Sequence, residues 1–386
     1  MIRILECFGG IGACSKALER LGIEFEIADY VELDKYAVKS FNAIHGTDFE
    51  PQDISEWDKD IEVDLIMHGS PCQDFSLAGN QAGGDEGSGT RSSLMYETIR
   101  IVEKLKPKYV IWENVRNVIS KRHIHNFDKY IMRLNELGYT SYYQILNSKD
   151  YGIPQNRERV FTISIKKDIN KDFSFPQKKQ LKLKLKDMLE DEVDEKYYLS
   201  EKMIKYISAV GTANFKNPDC KINLDIARPL TTDQNKRAGT TNYICDELPD
   251  NYDLSILIKN KTKKGYLEAT DGDGVYISNI NAKRGTVQKG MIPTLKTSLD
   301  IGAVVLKTIN QIKKLRIRKL TPKECWRLMG FDDEDFEKAE KVNSNTQLYK
   351  QAGNSIVVNV LEAILKELLL VDEHHGCIQS SIFDYI

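Results

Sequence analysis

"IRILECFGGIGACSKALERLG", residues 2–22, decides the fold. Its first seven residues form an apolar run too short for a helix, the pattern of a buried strand. A glycine turn follows, then a stretch with helical spacing of apolar residues that a further glycine closes. A strand passed through glycines straight into a helix is the opening of a layered α/β unit. The alternation continues. "FEIADYVE" (Phe25–Glu32) reads as a second strand, and "DKYAVKSFNAIHG" (34–46) as a helix closed by Gly46. "VDLIMHG" (63–69) is a third strand, and "SLMYETIRIVEKLKP" (93–107) a helix stopped by Pro107. "KYVIWEN" (108–114) is a fourth strand, "FDKYIMRLNELG" (127–138) another helix, and "TSYYQILN" (140–147) a further strand. The rhythm predicts a parallel α/β sheet covered on both faces.

After Ile165 the rhythm changes. A charged bridge, "KKQLKLKLKDMLEDEVDEKYYLS", leads into a segment rich in Gly, Asn, Thr and Lys that reads as short strands and loops out to about residue 312. "TPKECWRLMGF" then opens a helix with Thr321 at the N-cap, Pro322 at N1 and Glu324 at N3. "SIVVNVLEAILKELLL" is an apolar helix that needs a partner surface. Charge is divided unevenly: residues 200–330 hold 23 Lys/Arg against 13 Asp/Glu, so the rest of this chain of net charge −2 is strongly acidic. A basic module in an acidic chain suggests a nucleic-acid partner. Seven scattered cysteines without CxxC spacing argue against a disulfide framework and against a metal site. No run is long enough to span a membrane, and the N-terminus lacks the signal-peptide pattern, so a cytoplasmic protein is expected.

Three groups of residues carry chemistry. Gly9, Gly10 and Gly12 let the backbone approach a ligand at a helix N-terminus. Glu32 stands about twenty residues on, where a carboxylate can accept both ribose hydroxyls. Asp53 lies after the next turn and can accept from an adenine amine. Together they describe an adenosine pocket, and the spacing fits a nicotinamide cofactor as well as S-adenosylmethionine. The second group is "GSPCQDFSLAGNQAGGDEGSGTRSSL" (69–94), a glycine-rich loop with Cys72 at its root. Loops of about twenty residues inside compact domains are uncommon and often functional. In the third group, Glu113 ends the fourth strand, and Arg157 and Arg159 stand on alternate positions of "QNRERVF", so that both can point to one face. A thiol near guanidinium groups becomes a useful nucleophile.

On these residues the chain resembles the DNA (cytosine-5-)methyltransferases over nearly its whole length. "CFGGIG" is similar to their cofactor glycine motif, "GSPCQDFS" to the Pro-Cys motif, and "ENV" to the glutamate motif. "QNRERVF" is similar to the Gln-x-Arg-x-Arg motif, and "RKLTPKECWRLMGF" and "QAGNSIVVNVLEAI" to the last two. The resemblance implies a Rossmann-like S-adenosylmethionine-dependent methyltransferase sheet with a second, smaller, irregular β-rich target-recognition domain. It implies methylation of carbon-5 of a cytosine flipped out of duplex DNA, with Cys72 bonding carbon-6. Glu113, Arg157 and Arg159 would be the other catalytic residues. For the cofactor it implies Phe8 against the adenine or sulfonium, backbone of Gly10 and Gly12, Glu32 on the ribose, and Asp53 with Ile54 on the adenine. Pro71, Leu94, Asn354 and Ser355 would line the remainder. Because "AGNS" should return to the first domain, the catalytic domain is expected to be discontinuous, 1–190 plus 345–372, with recognition in 191–344 and a tail in 373–386. The loop Gln73–Arg91 is expected to close over the flipped nucleotide. Ser76 and Arg91 are expected to contact phosphates, and Gln155, Arg228, Thr231, Thr294 and Leu295 to meet the DNA.

Two departures stand out. Gly9 occupies a place where the family often has alanine, which should be harmless, and Met329 one where glutamine is common. Ser70, where tRNA-modifying relatives tend to carry a second proline, and the long middle segment favour DNA over tRNA. Intact Cys72, Glu113, Arg157 and Arg159 argue against a catalytically dead DNA-binding protein, and a dehydrogenase would leave the Pro-Cys loop unexplained. No obligate protein partner is expected, and the resemblance implies a monomer.

Overall fold

The computed structural model describes residues 1–71, 91–197, 255–260, 262, 266–270, 272–276, 285–293, 301–309 and 312–371. Cys72, Ser76, Arg228, Thr231, Thr294, Leu295 and the tail lie outside the described residues, as does the loop expected to close, up to residue 90. In chain order the first elements are β1 (Ile2–Cys7), α1 (Ala13–Arg20), β2 (Phe25–Val31), α2 (Lys35–His45) and β3 (Leu65–His68). Next come α3 (Met95–Leu105), β4 (Tyr109–Val115), α4 (Ile124–Glu136), β5 (Tyr139–Asn147), β6 (Gln155–Asn156) and β7 (Glu158–Lys166). The middle of the chain holds β8 (Ser255–Lys259), β9 (Tyr266–Thr270), β10 (Gly274–Tyr276), β11 (Thr286–Gln288), β12 (Ile292–Pro293), β13 (Ile301–Ile309) and β14 (Ile312–Lys319). Four helices finish it: α5 (Pro322–Arg327), α6 (Asp333–Glu340), α7 (Asn345–Asn354) and α8 (Val358–Leu369).

The chain divides into two compact units, one of Met1–Ile153, Arg157–Gln180 and Met329–Ile386, the other of Pro154–Asn156 and Leu181–Leu328. The first unit holds a six-stranded sheet in the order β2-β1-β3-β4-β7-β5. β1 to β4 pair in parallel, as the alternation predicts. The sheet is not wholly parallel, however: β7 runs antiparallel to both β4 and β5. The physical reason is the connection. Only residues 148–157 separate β5 from β7, too few for the helical crossover that a parallel pair requires. Leu5, Ile66, Val110 and Trp112 cluster with Met95, Ile99 and Val102 of α3 and Phe127, Tyr130 and Leu134 of α4. Their strand neighbours Ile4, Leu65 and Ile111 are equally buried, so both faces are covered. An isolated twelve-residue helix is marginal in water. α8 is held because Leu361, Ile364, Leu365 and Leu368 are buried and the helix packs on α1.

The two compact units meet at 180/181 and 328/329 along the chain. Residues 329–354 join the first unit through specific polar ties. Lys16 of α1, its side chain almost fully buried, pairs with Asp332 at 2.9 Å and Asp335 at 3.1 Å. Gln351 of α7 accepts from Ser40 Oγ at 3.0 Å and donates to the Tyr36 carbonyl at 2.9 Å. The second unit has an antiparallel sheet in the order β11-β10-β13-β14, a β8–β9 pair and a short parallel β6–β12 pair. Asp273 anchors it: Oδ2 accepts from Thr270 N, Thr270 Oγ1 and Lys289 Nζ, and Oδ1 accepts from Gly290 N. α5 carries the capping box that Thr321, Pro322 and Glu324 spell in the sequence.

Candidate active site

Strand register assembles the site. Val31, Cys7, His68 and Trp112 are Cα partners across β2, β1, β3 and β4. One step further along each strand stand Glu32, Phe8, Gly69 and Glu113, so these four lie along the C-terminal edge of the parallel strands. Open α/β sheets bind ligands at that edge. Pro71, the last described residue before Cys72, follows Gly69 by two positions.

On one side of this edge is the glycine turn. Gly10 and Gly12 have φ of 56° and 81°, the left-handed region that glycine enters without steric cost. A Cβ at Gly12 would lie 2.2 Å from Nε2 of His45, so this position requires glycine twice over, by conformation and by space. Around Gly10 the reverse holds: a Cβ would meet nothing within 4 Å, which leaves room for a ligand against the backbone. Phe8 is also left-handed, at φ 54°. For a non-glycine residue this costs about 1–3 kcal/mol and is typical of functional sites. Gly12 offers no side chain to cap α1. Glu6 substitutes, its carboxyl accepting from the Ser15 amide at 3.0 Å and from the Ser15 hydroxyl. Burial pushes the Glu6 carboxyl up to about 7, partly offset by those bonds.

Glu32 faces the turn. Its Oε2 accepts from Gly10 N at 3.2 Å and its Oε1 from Asp34 N at 2.9 Å. Burial raises its pKa, and the backbone donors work against that rise. Each oxygen retains a second lone pair, the acceptor set that a ribose diol needs. Gln52 N donates to the Glu32 carbonyl at 2.9 Å, which brings the loop carrying Asp53 beside the end of β2. Asp53 spends Oδ1 on Ser55, accepting from its hydroxyl at 2.7 Å and its amide at 2.9 Å. These bonds hold the Asp53 carboxyl below the usual range and leave its other oxygen to accept. Ile54 is buried, and its carbonyl accepts from Arg100 at 2.8 Å.

On the other side stands Glu113, buried at the end of β4. Val115 pairs with Arg159 on antiparallel β7, so Arg159 lies diagonal to Glu113 on one face of the sheet. Arg159 Nε is 2.9 Å from Glu113 Oε1. A Cβ at Gly69 would be 3.8 Å from Glu113 Oε2, which puts the stem of the Cys72 loop against the carboxylate. Ser70 fixes that stem. Its hydroxyl accepts from Trp112 Nε1 at 3.0 Å, and its carbonyl accepts from Asn114 Nδ2 at 3.3 Å. Both donors flank Glu113 in sequence.

Arg157 lines the same small cavity as Glu113 and Arg159, but its hydrogen bonds go elsewhere. Its guanidinium is buried and donates to the carbonyls of Ser355, at 2.8 Å, and Gly353, at 3.3 Å. It therefore clamps the backbone around Asn354, an exposed residue, and the buried Ser355. The alternation of the two arginines was legible; the target of the first was not, because it lies almost two hundred residues away. Arg157→Lys is expected to keep the charge but lose the forked contact. It should lower the melting temperature by several degrees, read by calorimetry.

Other expected residues fall as follows. Leu94 caps α3 and is half-buried, and Arg91 opens a short 3-10 turn. Gln155 is buried, its side-chain amide donating to the Leu328 carbonyl at 2.7 Å. Gly9 is less innocent than its sequence suggests: a Cβ there would come within 2.7 Å of the Tyr30 ring. Leu33, between Glu32 and Asp34, is exposed.

A family model described as C-5 cytosine-specific DNA methylase matches residues 2–370. The chain is 34% identical to the type II methyltransferase M2.ScrFI of Lactococcus lactis subsp. cremoris, over 95% of this chain and 99% of the relative. It is also 34% identical to the orphan methyltransferase M.SPRI of Bacillus phage SPR, over 95% and 97%. A solved structure of a mutant Spodoptera frugiperda DNMT2 covers 95% of this chain and 99% of its own at a TM-score of 0.60 and 20% identity, a likeness of fold. Among the described residues no helix is long and apolar enough to cross a membrane. With a carboxylate–guanidinium pair at the C-terminal edge of the sheet and a family match spanning almost its full length, the chain belongs to the C-5 cytosine-specific DNA methylases, a family that implies S-adenosyl-L-methionine as methyl donor.

Proposed function

We propose that this methyltransferase acts as a monomer on duplex DNA, through a transient bond between Cys72 and carbon-6 of a cytosine swung out of the helix. The observation that carries the reading is the Glu113–Arg159 pair, 2.9 Å apart beside the stem of the Cys72 loop. Carbon-5 of cytosine is a poor nucleophile, and attack of the Cys72 thiolate on carbon-6 makes it enamine-like. Glu113 hydrogen-bonds ring nitrogen-3 and the exocyclic amine, offsetting the charge that develops on the ring. Arg159 orients Glu113 and favours the thiolate. Once carbon-5 carries the methyl, its proton passes to a base, the carbon-6–sulfur bond breaks, and Cys72 leaves as thiolate.

The residues around the glycine turn fit the methyl donor. S-adenosyl-L-methionine supplies an electrophilic methyl on a sulfonium. Gly10 gives backbone with open space, Glu32 the ribose acceptors, and Asp53 and Ile54 the adenine edge, while Phe8 and Leu33 offer apolar faces. Pro71, Leu94, Asn354 and Ser355 complete the enclosure, the last two held by Arg157. Residues 181–328 read the target sequence, with Arg228, Thr231, Thr294 and Leu295 as groove contacts and Ser76 and Arg91 on phosphates. The loop after Cys72 closes over the flipped nucleotide.

Bisulfite sequencing of DNA treated with the purified protein gives the target. A duplex with 5-fluorocytosine at that position blocks proton loss from carbon-5, so with S-adenosylmethionine it should form a denaturant-resistant adduct mapping to residue 72. Absence of an adduct overturns the covalent route, and preferential methylation of tRNA over duplex DNA overturns the substrate.

A further inference from the structure

Gly10 is held at both ends of its peptide geometry. Its N–H donates to Glu32, and its carbonyl accepts from the hydroxyl of Tyr30 at 2.6 Å. Tyr30 is fully buried on β2, two residues before Glu32. Its ring stacks on Phe41 of α2 with centroids 3.8 Å apart, and Phe41 in turn lies against His45, the ring that fills the space at Gly12. The same Tyr30 ring occupies the volume of a Cβ at Gly9, with Cε2 at 2.7 Å and Cδ2 at 2.8 Å from the position such an atom would take. An aromatic floor thus runs under the whole turn, and one hydroxyl reaches up from it. Burial raises the phenol pKa, so the group remains a donor.

We infer that Tyr30 is a positioning residue for the cofactor. Its hydroxyl fixes the left-handed Gly10 peptide so that the backbone and the Glu32 carboxylate meet the ligand in one geometry, and Gly9 is glycine because this ring takes the space. The inference rests on the cofactor reading above. Positions 9 and 30 form one coupled unit. Tyr30 does not touch the ligand; it acts through Gly10 and Glu32.

Tyr30→Phe keeps the ring and removes only the donor. A neutral hydrogen bond of this kind changes an equilibrium by about five- to tenfold. The dissociation constant for S-adenosylmethionine, read by titration calorimetry on the full chain, should rise by that factor. The KM for the cofactor should follow it, while kcat at saturating cofactor and duplex DNA affinity stay within about twofold. Gly9→Ala should weaken cofactor binding in the wild-type background and do so markedly less in Tyr30→Ala, where the space has been vacated. A merely structural tyrosine would lower the melting temperature and move neither the cofactor constant of the Phe variant nor the coupling. Unchanged affinity in Tyr30→Phe, or an equal Gly9→Ala penalty in both backgrounds, overturns the inference. Failure of wild-type protein to bind S-adenosylmethionine at all overturns the cofactor reading itself and the inference with it.

Discussion

Cys72→Ser is expected to reduce methyl transfer to duplex DNA at least a thousandfold, while the dissociation constants for S-adenosylmethionine and duplex stay near wild type. Serine is close to cysteine in shape, so binding is preserved. It does not match it in chemistry. The attacking species is an anion, and an unactivated hydroxyl supplies far less of it at neutral pH than a thiol does. A thousandfold loss corresponds to about 4 kcal/mol of transition-state stabilisation. Tritium transfer from labelled cofactor reads the rate, and filter binding reads the duplex. Equal tritium signals from the two proteins would remove Cys72 from the reaction. A fall in duplex affinity matching the fall in rate would assign the residue to binding instead.

Much of this arrangement could be read from local pattern, and the limits of that reading have physical causes. Strand and helix periodicity located β1 to β5 and α1 to α4 because each buries one face or stripe, and burial is written locally. The tight turn at Gly10 and Gly12 was legible for a similar reason, since glycine there answers a backbone requirement. The reversal of β7 is a property of a connection: residues 148–157 are too few for a crossover, a count that outweighs the strand's own pattern. The Arg157 clamp and the Lys16 pairs join residues about two hundred and three hundred positions apart, and no window contains both partners. That is also why the unit boundary falls at 328/329: polar ties made by Asp332 and Asp335 decide which body the helix α6 joins. Gly9 shows the opposite error. Taken alone it looks interchangeable with alanine, and only the ring packed over it reveals that it is not.

Glu113→Gln separates what Glu113 binds from what it moves. The amide is close to isosteric with the carboxyl and can still hydrogen-bond the cytosine edge through its oxygen and its NH₂. It cannot pass a proton to nitrogen-3 as charge develops on the ring. Loss of such general-acid help lowers rates by about a hundred- to ten-thousandfold. The expected result is therefore a fall of that size in kcat with little change in KM for duplex, and formation of the 5-fluorocytosine adduct slowed in proportion. Arg159 sharpens the test. Its Nε lies 2.9 Å from Oε1 of that buried carboxyl group, so the two groups act as one unit and their losses should not add. Arg159→Ala alone frees Glu113 to turn away from the base and should also cost rate. In the Glu113→Gln background the arginine has lost the carboxyl group it orients, and its removal should cost much less. Two outcomes would count against the pair as the activating device: a Glu113→Gln enzyme within about tenfold of wild type, or additive losses in the double variant. Either would shift the burden of activating the ring onto groups in the loop beyond Pro71, and the dry, carboxylate-bearing end of β4 would become a structural feature of the sheet.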